Sequence, residues 1–207
     1  MKTLLMILSV LFLLTNTALA DDPARTLVEK KYQQIQEIID TDKSDKGVRA
    51  KVVDVLESFT DFEVFGKLTM KRYWPQMSKK QKTTFLNWFR QLIHRSYVRR
   101  FKANKEFKHE FRGVTQVKGD KAFVRTIIRT DKTEADVDYK LVLNTGSHKA
   151  YDIIIDDVSL MRNYRKQFRN VVKKHCGKKE LCQKGFDDLM QRIKEKVATK
   201  GDDIGDL

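Results

Sequence analysis

The chain has 207 residues, two cysteines and a formal charge of +14. That length suits one domain with a sizeable core, and two cysteines allow one bridge at most. The basic balance favours an anionic partner (lipid headgroups, nucleic acid or an acidic protein face) unless the lysines are simply solvated helix faces.

Residues 1–20 read as a secretory signal peptide. Lys2 supplies the positive start, an apolar run follows from Leu4 to Leu14, and Ala18-Leu19-Ala20 gives a small-x-small site with cleavage expected after Ala20. The run is shorter than the ~20 residues of a bilayer span, and no later apolar run reaches that length. The expected mature chain is therefore a soluble, exported protein, residues 21–207, with a charge of +13 once Lys2 is gone.

Pro23, placed after two aspartates, predicts a helix start. Val28, Tyr32, Ile35 and Ile39 keep helical spacing to about Asp40. A polar break over 41–47 ends that helix, and Val48, Val52, Val55 and Phe59 mark a second. Thr60-x-x-Glu63 has the form of a capping box opening a short third helix with Val64, Phe65 and Leu68. Ser78-x-x-Gln81 is a second such box. It opens the longest predicted helix, running to about Ala103, with Phe85, Phe89, Leu92 and Ser96 on one stripe.

The period then changes from helical to alternating. Phe107, His109 and Phe111 begin a strand that continues to Val117, Gly119-Asp120 turns, and residues 122–130 are β-branched. Asp131-Lys132 turns again, and Val137, Tyr139, Leu141 and Leu143 alternate with Asp138, Lys140 and Val142. After a turn at 144–147, residues 150–158 form a fourth strand. Short turns between consecutive strands predict a four-stranded antiparallel meander. Leu160, Tyr164, Phe168 and Val171 return to helical spacing, as do Phe186, Leu189, Met190, Ile193 and Val197. Residues 199–207 read as a mobile polar tail. A sheet with one apolar face needs cover, so the expected fold class is α+β, one domain, with the N- and C-terminal helices lying over the sheet. Periodicity does not say whether the space between the layers is packed or open.

Chemistry is sparse. Cys176 and Cys182 are expected to pair in an oxidising compartment, with two free thiols as the alternative. Cys-x5-Cys with His175 makes a poor metal set, so no metal is expected. His94, His109, His148 and His175 have no catalytic motif neighbours. Asp152 and Asp156 fall on one face of the predicted strand and Asp157 on the other. A solvated face, or ion pairs with Arg162 and Arg165, accounts for them, and no catalytic residue is assigned. Tyr97-Val98-Arg99-Arg100-Phe101 mixes aromatic and basic residues without a nucleic-acid motif, and export argues against that partner.

Two stretches carry a family resemblance. One is Phe65-Gly66-Lys67-Leu68-Thr69-Met70-Lys71-Arg72-Tyr73-Trp74-Pro75-Gln76-Met77-Ser78-Lys79-Lys80-Gln81, followed by Phe85, Phe89, Leu92 and Tyr97. The other runs from Tyr151 to Phe168 through Asp157-Val158-Ser159-Leu160-Met161-Arg162-Asn163-Tyr164-Arg165-Lys166-Gln167, with Gly185 and Leu189 beyond it. Together they resemble the MlaC, or toluene-tolerance, family over about residues 25 to 197. Two departures stand out: Met70-Lys71 where the family has Leu-Gly, and Asp157 where it has Gly. The disulfide loop is an addition to the family pattern.

The resemblance implies a periplasmic phospholipid-binding protein, expected monomeric, that is not an enzyme and needs no cofactor beyond its lipid cargo. Its implied partners are an inner-membrane ABC transporter complex and an outer-membrane lipoprotein complex, with acyl chains held between sheet and helices. The expected wall residues are Phe65, Leu68, Phe85, Phe89, Leu92, Val137, Tyr139, Leu141, Ile153, Ile155 and Val158, each of which plain core packing would equally explain. A carrier of another lipid such as a hopanoid, a small hydrolase or isomerase using the same pocket, and a pure interaction module are the other readings.

Overall fold

The computed structural model describes residues 22–117, 119–144, 146–177 and 179–199. The expected signal peptide and residues 200–207 of the expected tail lie outside them. The Asp22 carboxylate accepts from the Ala24 amide at 2.8 Å and caps α1 (Pro23–Thr41), whose Ala24, Val28, Tyr32, Ile35 and Ile39 face inward. Ser44 caps α2 (Asp45–Phe59) by accepting from the Gly47 amide at 3.0 Å. The break between them is therefore residues 42–44, shorter than the polar composition of 41–47 suggested. Helix α3 (Phe62–Met70) is capped by Asp61, which accepts from Val64 N at 2.9 Å. The expected Thr60–Glu63 box does not form, because Thr60 ends α2 and bridges in parallel to Ala150. The second box does form. Ser78 and Gln81 exchange hydrogen bonds at 2.8 and 3.2 Å at the start of α4 (Lys79–Tyr97). That helix stops short of the expected Ala103, passing into a 3-10 turn at Val98–Arg100.

Five antiparallel strands follow in the order β1-β2-β3-β4-β5: Lys108–Val117, Lys121–Arg129, Glu134–Asn144, Ser147–Ile155 and Val158–Ser159. The expected fourth strand is thus two strands. Asp156 and Asp157 have φ of 47° and 66°, the mirror-image two-residue turn that matches strand twist, and Ile155 pairs with Val158 across it. Neither aspartate lies on a strand face. Asp152 is in β4 and buried, where it accepts from the Ser159 hydroxyl at 2.7 Å and the Met161 amide at 3.0 Å. Lys140 lies 3.6 Å from it, and Arg165, whose guanidinium donates to the Leu68 carbonyl, also feels its charge. Asp152 therefore anchors the start of α5 (Leu160–Lys173) to the sheet. A disulfide joins Cys176 to Cys182 and ties the end of α5 to the start of α6 (Gln183–Ala198). Gly185 makes room for it, since a Cβ there would lie 2.3 Å from the Cys176 sulfur.

Three apolar clusters result. Helices α3 to α6 form the largest, beside the β4 edge. The N-terminal half of α1 packs on the sheet in a second, and its C-terminal half packs with α2 and Val98 in a third.

Both departures from the family pattern fall on left-handed backbone. Lys71, which ends α3, has φ 44° and ψ −103°, and Asp157 has φ 66°. A side chain costs roughly 1–2 kcal/mol in such a conformation and glycine almost nothing. Lys71→Gly should therefore raise stability by about 1 kcal/mol. Urea melts with an unchanged slope would register it as a higher midpoint, and a lower midpoint would refute the strain.

Candidate lipid cavity

Where the three clusters meet, the packing does not close. A cavity of about 510 Å³ lies between α1 and α2 on one side and the sheet on the other. Helix α1 contributes Val28, Tyr32, Ile35 and Ile39, and α2 contributes Val55, Leu56 and Phe59. The sheet contributes Ile128, Ala135, Val137, Tyr139, Ile153 and Ile155, while Tyr97, Phe101, Phe107 and Leu160 fill the flank. This wall is nearly all hydrocarbon, so water gains few hydrogen bonds inside and an apolar guest is favoured. Polar residues gather at two places. Exposed Arg100, Lys102, Lys105 and Lys132 surround the mouth with Glu106 and Asp131, leaving a positive excess there. On the flank, Lys31 donates to Ser58 Oγ at 2.8 Å and to Gln34 at 3.1 Å, a strap from α1 to α2.

The inner end is sealed by hydroxyls. Thr126 donates its only hydroxyl proton to the Val137 carbonyl. Thr126 is thus left to accept from Tyr32, and Tyr32 to accept from Tyr139. Burial raises the Tyr32 phenol to about 12 and holds Tyr139 well above the ordinary tyrosine range, so both are neutral donors at physiological pH. The His109 ring stacks on Tyr32 with centroids 3.7 Å apart. Burial lowers its pKa, against the pull of Glu29.

Of the eleven expected wall residues, Val137, Tyr139, Ile153 and Ile155 face the cavity. Phe65, Phe85, Phe89 and Leu92 do not. They sit fully buried in the helical cluster, where Phe89 lies 5.0 Å from Phe65, 5.3 Å from Phe85 and 5.9 Å from Phe168, ring centre to ring centre. Leu68 packs on the same cluster. Leu141 is closed over beyond the hydroxyl seal, and Val158 is 52% exposed because the Asp156-Asp157 turn reverses the chain before it. The α1 and α2 contributions were absent from the expected wall. Their stripes were visible in the sequence, but no local signal says which helix a sheet face meets.

Among the described residues no group of three or more His, Cys, Asp or Glu could hold a metal ion, and no helix is long and apolar enough to cross a membrane. The MlaC protein family matches the sequence over residues 29–195. A solved structure of a phospholipid-binding protein from Ralstonia solanacearum, in complex with a phospholipid, is similar in fold. Its TM-score is 0.74 at 20% sequence identity, and the match covers 86% of this chain and 98% of that one. Among curated proteins none matches the sequence.

Proposed function

The chain belongs to the MlaC protein family, and from that premise we propose that it carries phospholipid through the periplasm between an outer-membrane lipoprotein complex and an inner-membrane ABC transporter complex. In this reading residues 1–20 direct export, cleavage follows Ala20, and the carrier performs no catalysis. The observation that carries the proposal is the apolar cavity with a basic mouth between α1, α2 and the sheet. The phospholipid held by the fold relative from Ralstonia solanacearum supports the same reading.

The physical need is plain. A two-chain phospholipid in water exposes ~30 methylenes, a cost on the order of 20 kcal/mol at ~0.8 kcal/mol each. A carrier replaces the bilayer around the chains and leaves the headgroup wet. At this mouth the positive excess suits a phosphate, and the gain is electrostatic attraction screened by salt.

Protein purified from the periplasm, extracted and analysed by mass spectrometry, should yield a phospholipid at up to about one per chain, and native mass spectrometry should show the same adduct. A hopanoid in the extract would replace the cargo assignment. Protein that holds no lipid and takes none from vesicles would refute the carrier.

A further inference from the structure

We infer that Tyr139 and Tyr32 form a floor that limits the length of the acyl chain, so that this carrier selects lipids with chains of up to about 16 carbons. The inference rests on the carrier reading and goes further in naming which lipids are accepted.

The inner face of the sheet is largely apolar, with Thr126 as a buried hydroxyl within it, yet the cavity uses only part of it. On β3, Val137 and Tyr139 line the space and Leu141, next on the same face, does not. On β2 the lining stops at Ile128 while Val124 and Ala122 are shut away. On β4 it stops at Ile153 while Ala150 is shut away. Leu141, Ala122, Ala150 and Ala24 of α1 close into a plug at 0–1% exposure, and the register sets Leu141 between Ala122 and Ala150. On the sheet the boundary between space and plug falls at the level of Tyr139, while on α1 the lining runs one turn past Tyr32, to Val28. Tyr139 and Tyr32 meet across it through their hydroxyls, which bind α1 to the sheet at that level.

The depth follows from strand geometry. Thr133 lies at the exposed mouth and Tyr139 at the floor. Six strand steps at ~3.3 Å give ~20 Å. An extended alkyl chain advances ~1.2 Å per bond, as a peptide backbone does with three bonds in each ~3.6 Å residue. About 16 bonds therefore bring the terminal methyl to the phenols. A longer chain must fold back in the cavity or part the Tyr139–Tyr32 bond, and the second course leaves the buried Tyr139 hydroxyl facing a methyl group with no replacement partner. Hydrocarbon has no polar atom with which to compensate, so the floor discriminates by length with no contact to the headgroup.

The test holds the headgroup constant. Wild-type protein is incubated with vesicles containing equal amounts of saturated phosphatidylglycerols from about 12 to about 20 carbons per chain, re-isolated, and its lipid quantified by mass spectrometry. Recovery should fall on the order of tenfold between chains of about 16 and about 20 carbons, the scale of one buried hydrogen bond lost. Tyr139→Val, a strand-compatible residue that removes the ring, should flatten the profile. Tyr139→Phe keeps the ring and the packing but removes the bond, so it should raise long-chain recovery several-fold, and it keeps the test decisive if the valine variant fails to fold. Equal recovery of all lengths by the wild type overturns the floor and leaves the carrier standing. A wild-type cut-off that both variants retain overturns the assignment to Tyr139. A wild type that takes up no length at all overturns the carrier and the floor together.

Discussion

Asparagine at Val137 or at Ile153 should strip the protein of lipid while its melting temperature moves by only a few degrees, and asparagine at Leu141 should do the opposite. All three lie on the sheet face turned toward α1. Val137 and Ile153 border the cavity, whereas Leu141 is fully buried beyond the tyrosine row. An amide at either of the first two meets open space when the cavity is empty. Bound acyl chains would desolvate it at a cost of about 1–3 kcal/mol, roughly a 5- to 140-fold loss of affinity. At Leu141 the same amide displaces packed hydrocarbon and finds no partner. Lost packing and an unpaired polar group together cost about 4 kcal/mol or more, a fall of roughly 8–16 °C for a chain of this size. Thermal melts and lipid content on the three variants separate the cases. A collapse of stability at all three would mean that the cavity is closed core in solution.

Phe89→Ala should be among the most destabilising single changes and should leave lipid uptake by the folded fraction intact. Phe89 is fully buried and touches the rings of Phe65, Phe85, Tyr164 and Phe168, which draws α3, α4 and α5 together. Removing the ring costs the transfer energy of its carbons and leaves a void that helices pinned at both ends close only in part. The expected loss is about 3–5 kcal/mol, or roughly 6–20 °C in melting temperature. Calorimetry checks the first half and lipid per folded chain checks the second. A variant that melts normally yet carries no lipid would show that the cavity reaches into the helical cluster.

The contrast between Phe89 and Val137 shows how far the sequence reached. Alternation along 137–143 and helical spacing along 85–92 each identify an inward face, and in the structure each is buried except at Leu143, which is 44% exposed near the end of β3. Alternation continued past Ile155 was misleading, because Asp156 and Asp157 both enter the left-handed region and turn the chain. An Asp-Gly pair there would have advertised a hairpin, and Asp156-Asp157 carries no such signal.

The sequence by itself determined the α+β class, the order of the helices and of the first four strands, the helix start at Pro23, the cap at Ser78, and the two cysteines able to pair. These depend on neighbours a few residues apart, through hydrogen-bond geometry and the periods of helix and strand. It also carried the family resemblance, spread along most of the chain. Which apolar faces touch and which stand apart was left to the tertiary structure. The stripe of α1 and the inner face of the sheet would read the same whether packed tightly or held apart, since periodicity records direction and not distance. The gap arises beyond the point where α1 is tied to the sheet at Tyr32, because its C-terminal half packs with α2 and stands off Val137 and Ile155. Those ties join residues up to 107 positions apart in the chain, and only folding brings them together.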